Sequence, residues 1–324
     1  MTAEQRSSLV ARRSSLELGW VLQPTSRTAA NTVAMDESDR RMLRALRPPF
    51  TTFWVEDHFQ WETLPTLECW TALAYTAAEF PHLKCGTLTL GQSYRNPAHL
   101  AKMAATLQWL SGGRLILGIG AGWKEDEYRA YDFPYPSPGT RIAELREAVH
   151  LIRRMWRESP ASFEGEHYRI ADAYCEPRPD PEPPILIGGG GEKKTLRVVA
   201  ELADWWNGNF CDLDFYRGKV EILRRHCGAI GRDPAEITLS YYGHVALARD
   251  PADVERTDPV RPHLYRIAGT PDEVAAELNA FIDFGVRHFM LKFADFPRLD
   301  QYELFMEEVT PRLVSTRYEV RSTS

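Results

Sequence analysis

Glu56, Asp57 and His58 follow one another at the end of a short apolar run, Thr51 to Val55. They bring two carboxyls and an imidazole together, and such groups move protons near neutral pH. The run itself is apolar and β-branched, which suits a strand covered on both faces, and such strands belong to parallel sheets with helices packed outside. Ligands of parallel α/β folds bind at the carboxyl ends of strands, so the triplet lies where a site is expected. A second candidate is the run Gly188, Gly189, Gly190 and Gly191, which follows another apolar stretch and precedes a helix expected from Glu192. Free backbone N–H groups at a helix N-terminus make an anion site, and barrels often hold a phosphate there.

Holding these groups in place takes a regular scaffold, and the chain alternates short apolar runs with longer helical patterns. Strands are expected at 16–22, 51–55, 84–90, 114–119, 184–187, 204–207, 237–247 and 287–293. Helices are expected between them: 31–46, stopped by Pro48 and Pro49; 67–80, stopped by Pro81; one opened by Asn96-Pro97; one with its apolar face at Leu145, Val149, Ile152 and Met155; then 192–202, 213–227, 271–284 and 301–313. The economical α/β solution is a single (β/α)8 TIM barrel over the whole chain, with 1–15 a loosely ordered tail. Its insertions are a polar loop at 120–139, a hairpin at 163–170 and a stiff proline-rich loop at 177–184. The alternative is a doubly wound open sheet. Gly118, Gly120 and Gly122 follow a strand but are spaced G-x-G-x-G and lead into Trp-Lys-Glu-Asp, which is not the dinucleotide fingerprint.

Composition narrows the partners. The 324 residues are 44% hydrophobic, enough for a large core, and carry a net charge of -6, which argues against nucleic acid or an anionic membrane as partner. Five widely spaced cysteines without a C-x-x-C pair indicate neither a disulfide framework nor a zinc site, so a reducing cytoplasm is the expected compartment. No run reaches transmembrane length. Metal-assisted hydrolysis needs several ligands converging from strand tips, and only His58 and His244 fall near such positions. A G-x-S-x-G elbow is absent as well. A bound organic cofactor with one protein acid/base group is the better explanation.

From Leu16 to about Leu313 the chain resembles the luciferase-like monooxygenase superfamily of flavin- and deazaflavin-dependent oxidoreductases. The motifs are Phe53-Trp-Val-Glu-Asp-His-Phe59, Tyr94 to Leu107, Ser111 to Trp123, Pro184 to Gly191, Ala203-Asp-Trp-Trp-Asn207 and Gly269-Thr-Pro-Asp-Glu-Val274. The resemblance implies a reduced isoalloxazine-type ring at the carboxyl face, its phosphate on the backbone of Gly188 to Gly191, with Gly120, Ala121 and Gly122 alongside. It implies a non-prolyl cis peptide behind the ring, mapping onto Thr87-Leu88. In the deazaflavin branch an Asp-His pair is similar to Asp57-His58, with the imidazole as the proton-transfer group. Some members carry a catalytic Glu after the fourth strand; this chain has Trp123 there.

The expected function is therefore an oxidoreductase using coenzyme F420, with His58 as general acid or base and Asp57 beside it. The alternatives are an FMN-dependent monooxygenase using dioxygen and a flavin-binding barrel without turnover. Gln23, Trp54, Trp61 and Trp123 are the expected substrate contacts, and Lys193, Lys194 and Arg197 are the expected cations for the anionic tail of F420. Expected partners are a small-molecule substrate, a second copy of the chain and a separate flavin or F420 reductase; no metal, nucleic acid or membrane is expected.

Overall fold

The structure, a computed structural model, describes residues 16–22, 32–61, 64–257 and 262–314. Eight parallel strands close into a barrel in the order β1 (Glu17–Val21), β2 (Phe50–Val55), β3 (Lys84–Thr87), β5 (Leu115–Gly120), β8 (Ile185–Gly188), β9 (Trp205–Asn209), β10 (Thr238–Leu247) and β12 (Val286–Phe293). β12 pairs back onto β1, so the doubly wound alternative is excluded. The short β4 (Leu90–Gly91) extends the β3 side against β5. Around the barrel run α1 (Thr32–Ala45), α2 (Cys69–Glu79), α3 (Pro97–Leu110), α5 (Pro138–Arg157), α6 (Thr195–Leu202), α7 (Leu213–Ala229) and α8 (Pro271–Phe284).

Local chemistry sets many of these boundaries. Asn96 caps α3 by accepting from Ala98 N and His99 N, with Pro97 in the first turn. Thr270 and Glu273 form a reciprocal capping box on α8, again with a proline behind the cap. The expected hairpin is present as β6 (Ala161–Glu164) and β7 (Arg169–Ala173).

Alternation along β2 sends Phe53 and Val55 into the shell between strands and helices, which Phe50 joins from beyond the register shift against β1, while Trp54 joins Val21, Ile116, Leu186, Tyr242 and Met290 in a separate cluster. That cluster fills the barrel. Gly86 makes room for it, because any Cβ there would run into the Trp54 ring.

Several expectations are corrected. The segment 120–139 contains a helix, α4 (Glu125–Ala130), that its polar composition concealed. Part of the segment between β10 and α8 forms β11 (Arg266–Gly269), whose pairing with His244–Leu247 no periodicity announces at this length. α6 begins at Thr195 rather than Glu192. The closing helix breaks into α9 (Asp300–Leu304), a π-helical turn through Val309 and a 3-10 turn ending at Arg312, with Pro311 inside that last turn. The non-prolyl cis peptide lies at Leu88–Thr89, one bond beyond Thr87–Leu88. Thr87 still belongs to the strand, its hydroxyl accepting from Gly118 N at 2.9 Å and donating to Gly118 O at 2.7 Å. No helix among the described residues is long and apolar enough to cross a membrane.

Candidate active site

Beyond Val55 three consecutive side chains reach three different partners at the carboxyl end of the barrel. Glu56 turns toward β10 and β12, where its carboxylate accepts from Tyr242 Oη at 3.0 Å and from Lys292 Nζ at 2.7 Å. Burial works to raise the Glu56 carboxyl, but the Lys292 ammonium outweighs it and holds the group down to about 2. Phe210 packs on Tyr242 and His244 with ring centroids 4.7 and 5.1 Å away, completing this wall.

Asp57 does not pair with His58. Its two oxygens accept a bidentate fork from Arg95 at 2.8 and 3.0 Å, and one also accepts from Gly91 N at 2.9 Å. Arg95 reaches on to Glu68, whose carboxylate caps α2 at Trp70 N and Thr71 N. The network ties the loop after β2 to the start of α3, so Asp57 fixes the backbone from which His58 projects.

His58 has a different partner. Both oxygens of Glu127, from α4, lie 3.2 Å from His58 Nδ1. The same carboxylate accepts from Phe59 N at 3.0 Å, Gln60 N at 3.1 Å and Tyr94 Oη at 3.0 Å. Burial alone would raise the Glu127 carboxyl, but these donors, His58 foremost, hold it below the usual carboxylate range. An ionised Glu127 requires a proton on His58 Nδ1, which leaves Nε2 as the nitrogen not engaged by Glu127. The Trp61 and Trp123 rings meet the imidazole edge-on, with centroids 5.0 and 5.9 Å away, and Lys124 Nζ sits over Trp61 at 5.2 Å. The His58 side chain is 13% exposed while Glu127 is 1% exposed, so only the imidazole faces the mouth.

The other expected residues divide. Trp61 and Trp123 stand beside His58, and Trp123 is 65% exposed. Trp54 is fully buried within the barrel and offers no surface to a ligand, because strand alternation points it inward. Gln23 lies outside the described residues. Thr87 is buried and engaged with Gly118, whereas Leu88 reaches the inner cluster and Ala121 is half-buried. Gly120 and Gly188 are small because Thr89 crowds them: a Cβ would stand 2.8 Å from its Oγ1 and 3.0 Å from its Cγ2 respectively. Gly122 gives way to the Tyr128 hydroxyl. Gly189, at a φ of 110°, turns the chain where only glycine is at ease, and the space beside Gly190 is open out to Lys219 Cε at 3.8 Å.

Sequence reasoning missed Glu127, Arg95 and Lys292. Glu127 follows two other acidic residues, and nothing in a single sequence separates it from them. Lys292 did leave a signal, as the one cation in the otherwise apolar stretch Phe289 to Phe293.

Comparison with known proteins agrees with this architecture. An F420-dependent glucose-6-phosphate dehydrogenase of Kineococcus radiotolerans is 30% identical over 277 residues, covering 73% of this chain and 81% of that one. The Segniliparus rotundus protein of the same name is 28% identical over 310 residues, 84% of this chain and 92% of its own. Among solved structures, an F420-dependent secondary alcohol dehydrogenase in complex with an F420-acetone adduct superimposes with a TM-score of 0.76 at 19% identity, covering 92% of this chain and 99% of the other. A type II Baeyer–Villiger monooxygenase from Pseudomonas putida, in complex with FMN, gives 0.72 at 18% identity over 93% and 99%. Residues 16–266 match the model of the luciferase-like monooxygenases, and the chain belongs to that family.

Proposed function

We propose that the protein is an F420-dependent oxidoreductase that moves a hydride between the deazaflavin and a small organic substrate, with His58 giving or taking the accompanying proton. One observation carries this reading: the His58 imidazole at the barrel mouth, locked through Nδ1 to a buried carboxylate, whose Nε2 has no hydrogen bond among the described residues. The relatives named as F420-dependent dehydrogenases support the choice of coenzyme.

The residues present fit the coenzyme. The backbone of Gly189, Gly190 and Gly191 is exposed and, at Gly190, clear of side chains, as a phosphate requires. Ala121, half-buried, offers apolar surface at the end of β5. When bound, the deazaflavin supplies the carbon that accepts or donates hydride. The chain supplies the rest. In the direction of alcohol oxidation the hydroxyl proton passes to His58 Nε2; in carbonyl reduction the same atom returns it to the new alkoxide oxygen. Glu127 balances the imidazolium that forms, and the edges of Trp61 and Trp123 hold the ring and narrow the access of water. Across the mouth the Lys292–Glu56 pair and Tyr242 offer donors and acceptors to the polar end of a substrate.

Reduced FMN with dioxygen is the second reading, and the family's own description as monooxygenases favours it. Fluorescence titration of the purified protein with F420 and with FMN separates the two: F420 is expected to bind and FMN to bind far more weakly. Tight FMN binding without F420 affinity makes the protein a flavin monooxygenase served by a separate reductase. The phosphate site has its own test in Gly190→Asp, which fits sterically and places a carboxylate against the phosphate. Cofactor affinity should fall about tenfold or more; unchanged affinity moves the phosphate elsewhere.

A further inference from the structure

Alternation along β2 and β12 puts Trp54 and Met290 inside the barrel, and two residues further along each chain segment come Glu56 and Lys292, which meet at 2.7 Å. Apolar side chains already fill the barrel below this pair. A partly buried ion pair adds little to stability once its desolvation is counted, so packing does not explain why it is there. The Lys292 side chain is 10% exposed and that of Glu56 23%, so water still reaches the pair. Glu56 and His58 are two residues apart, which limits their Cα separation to about 7 Å. Burial pushes the Glu56 carboxyl up, and Lys292 and then His58 pull it down, which puts the imidazole within electrostatic reach of the pair. A small molecule held at His58 therefore lies within a molecular width of Glu56 and Lys292.

The other cations around His58 are spent in the same way. Arg95 forks onto Asp57 and reaches Glu68, and Lys124 pairs with Asp126 while its ammonium sits over the Trp61 ring. Glu127 is ionised, and its charge is met by an imidazole, two backbone amides and a tyrosine hydroxyl rather than by a permanent cation. Taken together these groups leave the mouth neutral to negative. A substrate carrying a carboxylate or phosphate would lose water there and find each of these cations already engaged, which is unfavourable. An uncharged hydroxyl or carbonyl finds donors in Lys292 and Tyr242 and an acceptor in Glu56, with the Phe210 ring packed on Tyr242 as apolar surface for its flank.

We infer that Glu56 sets the charge selectivity of the site: by holding the Lys292 ammonium in an ion pair it denies that cation to anionic substrates, and the substrate is an uncharged alcohol or carbonyl compound. The inference rests on the F420 reading above. It also separates this chain from the two relatives whose names give them a sugar phosphate as substrate.

Lactamide and lactate test it, since they are secondary alcohols of nearly equal size that differ by one charge. Each is titrated calorimetrically into the full chain loaded with reduced F420, which takes no further hydride, and each is assayed for reduction of oxidised F420. The wild type should bind lactamide about tenfold or more tighter than lactate. Glu56→Gln keeps an acceptor for Tyr242 and frees the ammonium, so lactate affinity should rise about tenfold at low salt and fall back as salt is added. The double variant Glu56→Gln with Lys292→Gln has no such cation and should gain nothing. Lys292→Gln, which leaves Glu56 unopposed, gives a second route should Glu56→Gln not fold: it should favour the cationic alcohol isopropanolamine over lactamide. A wild type that holds F420 and takes lactate as well as lactamide overturns the inference and leaves the F420 reading standing. So does a Glu56→Gln protein with no gain for lactate, a gain that persists in the double variant, or a Lys292→Gln protein with no preference for the cation. If the chain holds FMN and not F420, the F420 reading fails and this inference with it.

Discussion

The barrel carries a histidine and a glutamate at each end, and the two pairs behave differently. At the mouth His58 meets Glu127; at the opposite end His288 Nδ1 lies 3.7 Å from Glu17 Oε2. His288 is 1% exposed, and its other nitrogen accepts from Trp54 Nε1 at 3.2 Å and lies 3.1 Å from Thr52 Oγ1. Burial depresses the His288 imidazole below its usual value, so it stays neutral. Burial would raise the Glu17 carboxyl, but His288 and Lys84, whose Nζ lies 2.7 Å away, together hold it down to about 2. The same two side chain types thus make a contact shut inside the protein at one end and one that faces the mouth at the other. The deciding factor is whether the second ring nitrogen is spent inside the protein or left facing the mouth, which accords with function at the carboxyl face of a barrel and stability at the amino face.

The sharpest way to break this comparison is to remove each imidazole in turn. His58→Ala should leave the fold intact and lower turnover by about 10²-fold or more. His288→Leu should leave turnover unchanged and lower the free energy of unfolding by about 1–3 kcal/mol, since it takes one of two acceptors from the Trp54 indole, leaving Thr52 Oγ1 at 2.8 Å, and a neighbour from the Glu17 carboxylate. Steady-state rates and denaturant unfolding of both variants read the two effects separately. Reversed results would exchange the roles of the two ends.

A smaller effect sharpens the mouth. Glu127→Gln keeps acceptors for Phe59 N and Gln60 N but removes the negative charge beside the imidazole, so turnover should fall about tenfold with the thermal midpoint little changed. Asp57→Asn offers the contrast: it weakens the Arg95 fork and should show first in thermal stability. An Asp57→Asn enzyme as slow as His58→Ala would return Asp57 to the chemistry.

The smallest expected effect is in the pH dependence of stability, and it belongs to the amino end. His288 titrates below 6.5 when folded and near 6.5 when unfolded, so its contribution is complete above that pH and declines as the pH falls. Glu17 has a folded value of about 2 against 4.5 unfolded, so its contribution is lost as the pH drops through that interval. Both losses run toward acid. Thermal midpoints between pH 7.5 and 4 should therefore fall less steeply for His288→Leu than for the wild type; parallel curves would show that His288 has no part in acid sensitivity.

How much was legible follows the range of the interactions involved. Asn96-Pro97 and Thr270-Pro-Asp-Glu273 announce their helices because a cap is complete within four residues, and the observed starts at Pro97 and Pro271 agree. β11 and α4 escaped because four to six residues carry too little periodicity to be told from a polar loop. In the site, His58 was singled out from its place after a strand, and the structure sets its imidazole against Glu127 rather than Asp57. Adjacent residues on an extended backbone point to opposite sides, so Asp57 could not pair easily with His58 and took Arg95 instead.

The sequence by itself determined the alternation of strands and helices, the closure that eight such units favour, the placement of Glu56, Asp57 and His58 just beyond β2 and the glycine turn after β8. Each of these rests on contacts or conformations within a few neighbouring residues. Only the tertiary structure decided that Trp54 is buried inside the barrel, that Glu127 rather than Asp57 lies against His58, and that Lys292 and Glu56 pair at its carboxyl end. Those pairings join residues 69 and 236 positions apart, brought together by barrel closure, and no local pattern records them.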